Sequence, residues 1–253
     1  MVSREDGSGT RGAFIELTGV QISVDGNVTD RTTVEASIQN GTNAIMTNVA
    51  GDTYAIGYIS TGSANNTIKT LSVDGVQPTS ANILAGNYKI SRPFIIITQD
   101  NLEPVAVEFI EFIMSAQGQE VVSGSYIPVV QNAPDFQSAG MSGKIEIGGS
   151  TSVSPVMEKL AEAYLALNPN ATIEVHSTGS GAGITGAIDG VLDIGMSSRE
   201  IRDSEMEKLH QQITICMDGI AVIVNNDNPR NNITMDDIRD IFIGEKTRWS
   251  DVP

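Results

Sequence analysis

With 253 residues, 40% of them hydrophobic and 18% charged, the chain has the make-up of a folded α/β protein of one large domain or two lobes. A net charge of −16 argues against a broad surface for nucleic acid or anionic membrane, because the long-range field repels polyanions. A single cysteine, Cys216, excludes an internal disulfide framework and a cysteine-based metal cluster, and two histidines, His176 and His210, leave little for zinc or copper.

From the start, residues 2–6 lead into Gly7-Ser8-Gly9-Thr10-Arg11-Gly12 and a helix expected over 13–18. A helix over 41–49, strands at 54–60 and 68–73, and a short helix capped by Ser80 follow. Residues 93–98 read as a buried strand, 103–114 as a clean amphipathic helix and 117–122 as a further turn or two. Past the loop with Pro128, a strand at 144–147 runs into Gly148-Gly149-Ser150-Thr151-Ser152, and Ser154-Pro155 opens a helix to about 167. A strand at 172–175 and the loop Ser177-Thr178-Gly179-Ser180-Gly181-Ala182-Gly183 then precede a helix to about 188. The remaining expectations are a strand at 192–196, a polar helix from Asp203 to about 212, a long crossing strand at 213–224 and a helix at 235–243. Alternation of strands and helices implies an α/β architecture with largely parallel sheets.

No window offers the ~18 apolar residues of a membrane span, and the N-terminus carries no basic-then-apolar export signal. Three loops share one design, with small and hydroxyl residues just before a helix: Gly7-Ser8-Gly9-Thr10, Gly149-Ser150-Thr151-Ser152 and Thr178-Gly179-Ser180-Gly181. Free N–H groups of a helix's first turn, with the helix dipole, attract an anion without any formal positive charge. Each such loop taken singly is an ordinary helix cap; their recurrence points to a tetrahedral oxyanion. Arg4 adds a guanidinium that can bond an oxyanion with two prongs, and Asp6, two positions on along an extended strand, is expected to orient it.

Other motifs lead elsewhere. Gly7-x-Gly9-x-x-Gly12 and Gly181-x-Gly183-x-x-Gly186 match the dinucleotide pattern, yet no acidic strand end follows the second at the required distance. Neither Ser8 nor Ser180 lies in a nucleophile elbow, and neither histidine has the context of a catalytic triad. Cys216 sits in an apolar strand and reads as buried and inert.

At these loops the chain resembles the PstS-type phosphate-binding proteins of ABC importers. Ser3-Arg4-Glu5-Asp6-Gly7-Ser8-Gly9-Thr10 is similar to the family's arginine and S-G-T signature, 148–155 to its N-terminal loop and 177–183 to its second loop. Asp193-Ile194-Gly195-Met196-Ser197-Ser198 and Asp218-Gly219-Ile220-Ala221-Val222 resemble further family segments. The order is exchanged: the stretch resembling 144–253 comes first in the family and that resembling 2–130 second. The chain is therefore read as a circular permutant, with the old ends fused across about 134–143.

The resemblance implies a type II periplasmic-binding-protein fold. One lobe is expected over about 90–222, and the other over about 1–89 plus 223–253, closing around the anion. Carried over by position, Arg4, Ser8, Gly9, Thr10, Thr151, Ser152 and Ser180 would donate to phosphate, with Gly179 and Gly181 supporting the loop. Where the best-known members place an aspartate that accepts the phosphate proton, this chain has Ser198. Asp218 is the first candidate for a replacement acceptor and Asp6 the second. The resemblance further implies no cofactor or metal, a permease as partner, a monomer, and an extracytoplasmic place for the parent protein. Sulfate or molybdate as ligand, an engineered phosphate sensor and a phosphate-ester enzyme are the alternatives.

Overall fold

The computed structural model describes residues 1–24 and 27–252. In chain order the elements are β1 (Val2–Arg4), α1 (Gly9–Leu17), β2 (Gln21–Val24), β3 (Asn27–Asp30), β4 (Ser37–Gln39), α2 (Thr42–Gly51) and β5 (Ile56–Ser60). Next come β6 (Lys69–Thr70), β7 (Ser72–Val73), α3 (Ser80–Leu84), β8 (Ser91–Thr98), α4 (Pro104–Ile113), α5 (Ala116–Ser123) and β9 (Ile127–Pro128). The last third holds β10 (Gly143–Gly149), α6 (Ser154–Leu167), β11 (Ala171–Ser177), α7 (Ser180–Ile188), β12 (Ile194–Ser197), α8 (Asp203–Met206), β13 (Gln211–Val224), β14 (Asn232–Ile233) and α9 (Met235–Phe242).

These elements form two units, Met1–Ser91 with Gly219–Pro253, and Arg92–Asp218. In the second unit β10 pairs in parallel with β11 on one side and with β12 on the other. The helices α6 and α7 make the β-α-β crossovers that parallel neighbours require. The sheet is nonetheless mixed, because β8 meets β12 antiparallel. No β-α-β crossover links those two strands, so within this sheet the expectation of parallel pairing holds for the β10, β11 and β12 triplet, and outside it for the short pairs β1 with β4 and β7 with β14. The core of this unit is a continuous apolar cluster including Phe94, Phe109, Phe112, Ile145, Ile147, Leu160 and Tyr164, all buried. Apolar residues at helical spacing on α4 and α6 explain it, each turning one stripe toward the strands.

Close backbone approach decides where α7 sits. A Cβ added to Gly183 would lie 2.6 Å from the Cα of Gly149 and 2.7 Å from the carbonyl oxygen of Gly148. The second glycine pattern thus serves helix-on-strand packing. Gly149 also needs its positive φ of 137°, and there a Cβ would stand 2.3 Å from the Met196 carbonyl oxygen.

Residues 129–142 carry neither helix nor strand, and buried or half-buried side chains of the second unit hold them down. Glu108, 5% exposed, accepts hydrogen bonds from the Tyr164 hydroxyl at 2.8 Å, the Asn168 amide at 3.2 Å and the Met141 N–H at 3.3 Å, as well as from the Ala139 N–H. Gln117 accepts from the Phe136 N–H at 2.8 Å and Gln119 from the Val129 N–H at 3.1 Å. Burial alone would raise the pKa of Glu108, but this set of donors outweighs it and the net direction is down.

In the first unit, β13 pairs antiparallel with β5 and β6, and β1 pairs in parallel with β4. Phe14 stacks on Tyr58 at 3.8 Å between ring centroids, with Phe242 edge-on to Phe14 at 4.8 Å. Three local readings need correction. The polar helix expected from Asp203 to 212 stops at Met206, since the chain must straighten into β13, which already begins at Gln211. The single strand expected at 68–73 is two short pieces, β6 and β7, and they pair with different partners, β13 and β14. Thr79, not Ser80, caps α3, its side chain accepting the Asn82 N–H at 3.3 Å.

Gly183→Ala should lower unfolding free energy by about 3 kcal/mol, because its new methyl meets backbone that cannot swing aside; urea titration measures it. Glu108 has a depressed folded-state pKa, so its stabilisation is present above its ordinary value of 4.5 and is lost as pH falls through the lower folded value. In Glu108→Gln the fall in stability between about pH 5 and pH 3 should be shallower than in the parent, read from unfolding midpoints across that range.

Candidate functional site

Each unit carries its own hydroxyl-rich site. In the second unit the ends of β10 and β12 and the start of α7 meet at three serines. Ser150 donates from its hydroxyl to the Ser198 hydroxyl at 2.8 Å, and the Ser180 and Ser198 hydroxyls lie 3.4 Å apart. The Ser198 N–H donates to the Ser180 hydroxyl at 3.1 Å. Ser180 and Ser198 have no exposed surface and Ser150 is 2% exposed.

Local sequence explains the arrangement. Gly179, with φ of 97°, lets the chain turn sharply into α7, and both its N–H and that of Thr178 donate to the Gly149 carbonyl, at 2.7 and 2.9 Å. Ser150 closes the turn ahead of α6: its hydroxyl accepts from the N–H groups of Ser152 at 3.2 Å and Val153 at 3.4 Å. Thr151 is part-exposed in that turn, and Ser152 is wholly buried. Gly181 follows Ser180 in the first turn of α7.

Two charges lie beside these serines. Arg92, 2% exposed, donates to the Ser198 carbonyl at 3.0 Å and to the Asp218 carboxylate at 3.3 Å, with its guanidinium 5.4 Å from the Phe94 ring centroid. Asp218 is 1% exposed. Cys216 is buried, and burial, helped by the Asp218 charge, raises its pKa well above the ordinary thiol value. It stays a thiol and is no nucleophile.

In the first unit Gly7 (φ 82°) turns the chain from β1 into α1, which Ser8 caps by accepting the Arg11 N–H at 3.3 Å. Gly9 and Thr10 form the first buried residues of α1. Arg4, 1% exposed, donates through both prongs to Glu5, each at 2.8 Å, and weakly to the Thr42 hydroxyl at 3.5 Å. Burial would raise the pKa of Glu5, but bonding to Arg4 and to the Gly41 N–H turns the net direction down, so it stays ionised. Beneath Arg4, the Tyr58 hydroxyl bonds the Ser3 hydroxyl at 2.8 Å and accepts the Arg4 N–H at 3.3 Å. Burial raises the Tyr58 pKa and keeps that hydroxyl protonated.

Asp6 does not orient Arg4. It pairs with Arg11 at 2.8 Å, with its side chain 98% exposed, because β1 ends at Arg4 and a turn replaces the extended strand that would have aligned positions 4 and 6. Glu5 takes the orienting role, and Arg11 adds a hydrogen bond to the Arg4 carbonyl at 2.9 Å. The structure thus gathers Ser180 and Ser198 with Ser150 in one unit, and Arg4, Ser8, Gly9 and Thr10 around the start of α1 in the other. Sequence reasoning missed Glu5, Tyr58 and Arg92. Glu5 was within reach as the acid adjoining Arg4; nothing in the order of residues links Arg92 to Asp218, 126 positions away.

The histidines stand apart from both sites. His210 pairs with Asp100, and His176 lies 3.0 Å from Glu146 on the exposed face of β10 and β11. Glu174 joins that cluster, and Lys144 already offsets its charge at 2.5 and 2.9 Å from the two carboxylates.

A two-unit α/β chain with buried hydroxyls and tight glycine turns at helix starts defines a solute-binding protein. The PBP superfamily domain model matches residues 1–117 and 135–253. The phosphate-binding protein PstS 2 of Streptococcus agalactiae serotype V is 46% identical over 255 residues, which cover 100% of this chain and 87% of that protein. PstS 2 of Streptococcus pneumoniae serotype 4 is 44% identical over 253 residues, again with 100% and 87% covered. The crystal structure of a phosphate-binding protein of a phosphate ABC transporter from Streptococcus pneumoniae superposes with a TM-score of 0.79 at 44% identity, covering 100% of this chain and 98% of that one. The chain belongs to the PstS-type phosphate-binding proteins of the PBP superfamily.

Proposed function

We propose that this chain binds inorganic phosphate and delivers it to the permease of an ABC importer, as a monomer working outside the cytoplasmic membrane. It is a binding protein and not an enzyme. The observation that carries the reading is the repeated device: in each unit glycine-led turns place buried hydroxyls at the start of a helix, where N–H groups and the dipole favour an anion. Relatives named for phosphate binding, alike over the whole chain, support it.

In this proposal Thr151, Ser152 and Ser180 donate from the second unit, and Arg4, Ser8, Gly9 and Thr10 from the first. Closure of the two units, drawn as about 90–222 against about 1–89 plus 223–253, lets one ion engage both sets of donors. The exchanged segment order belongs to the same proposal.

Selectivity over sulfate needs a proton acceptor, because phosphate carries a proton at neutral pH where sulfate offers only a lone pair. Ser198 offers a hydroxyl that accepts from Ser150 and lies 3.4 Å from the Ser180 hydroxyl, in place of a carboxylate. Asp218, buried 3.3 Å from the Arg92 guanidinium, is the proposed acceptor. Asp6 is withdrawn as the second candidate, since its exposed carboxylate is taken by Arg11.

Titration calorimetry should show one phosphate bound per chain and sulfate at least about 100-fold weaker, with molybdate likewise weak. Equal affinity for the three anions, or no heat with phosphate, rejects the reading. Asp218→Asn should narrow the gap between phosphate and sulfate by about tenfold or more, since the lost carboxylate no longer tells a proton from a lone pair; an unchanged ratio removes Asp218 from that role.

A further inference from the structure

Arg92 and Asp218 are the first and last residues of the second unit, the places where the chain enters and leaves it. Their side chains meet in a buried ion pair, 2% and 0% exposed. The same guanidinium that holds Asp218 also holds the Ser198 carbonyl. Ser198 in turn is fixed by its N–H to Ser180 and by its hydroxyl to Ser150. An unbroken set of bonds therefore runs from both chain crossings to the two loops that begin α6 and α7.

The chemistry at Arg92 is demanding. One planar fork bonds a neutral carbonyl and a carboxylate in different directions, which a lysine ammonium, a point charge on a flexible stem, does not reproduce. A buried ion pair of this kind adds little net stability against apolar replacements of similar volume, while loss of one partner leaves an uncompensated charge. Stability alone therefore gives a weak reason for placing an arginine here.

We propose that Arg92 is a positioning residue of the anion site: it sets affinity for phosphate, and preference over sulfate, by fixing Ser198 and Asp218. The inference rests on the phosphate reading above. It assigns to Arg92 a role that no residue motif announced, acting on the ion through its neighbours.

The test compares the parent chain with Arg92→Lys, Arg92→Met and the double variant Arg92→Met/Asp218→Leu, each titrated with phosphate and with sulfate and each melted. Arg92→Lys should stay folded, bind phosphate about tenfold or more weakly, and lose part of its preference over sulfate. The double variant, with no buried charge left over, should regain thermal stability lost in Arg92→Met without regaining affinity or preference. Should the lysine and double variants bind both anions as the parent does, whatever their melting points, the positioning role is refuted. Should the lysine variant not fold, Arg92→Met, which keeps Asp218, decides in its place: binding of both anions as in the parent refutes the role. Absence of phosphate binding by the parent chain would overturn the functional reading and this inference together, whereas parent binding with unaltered variants sinks only the latter.

Discussion

A chain with a net charge of −16 can hold an anion only at short range, where oriented donors outweigh the general field. That constraint runs through the whole structure. It calls for dipoles that are buried, aimed and unable to relax, and these in turn need loops with little freedom. Gly149 and Gly179 meet the need by adopting backbone conformations closed to other residues, so that Ser150 and Ser180 come to lie against Ser198. Any side chain at Gly183 would push α7 away from β10 and spoil the arrangement.

Charge enters both units in the same guarded way. Arg4 is sheathed by Glu5, and Arg92 by Asp218, so neither cation stands bare in a buried setting. Such pairing limits the desolvation cost and fixes the direction of each guanidinium. The two arginines differ in their surroundings. Arg4 rises from a strand end propped by Tyr58, whereas Arg92 binds a carbonyl and a carboxylate from distant parts of the chain.

Much of this was legible beforehand. The α6 span of 154–167 was read directly, because Ser-Pro marks its start and Asn-Pro its end, with apolar residues at helical spacing between them. The three helix-leading loops, Thr10 and Ser180 among their residues, follow from composition alone, and the resemblance to PstS-type proteins added what Arg4, Thr10 and Ser180 would bind. Errors fell where local signals compete. The polar segment after Asp203 has helical propensity but is drawn into the long strand β13, whereas the antiparallel pair of β2 and β3 was within reach of the sequence, since Gln-Ile-Ser-Val alternates and Asp-Gly follows it.

The sequence by itself determined the class of fold, the family and the three glycine and hydroxyl loops ahead of helices, because these rest on local spacing and composition. Tertiary structure alone decided which acid orients Arg4, since that depends on where β1 ends and the turn begins. It also decided that Asp218 is buried and matched with Arg92. Ion pairs between residues far apart in the chain are settled by how strands are ordered in a sheet, and strand order leaves no mark at the individual positions.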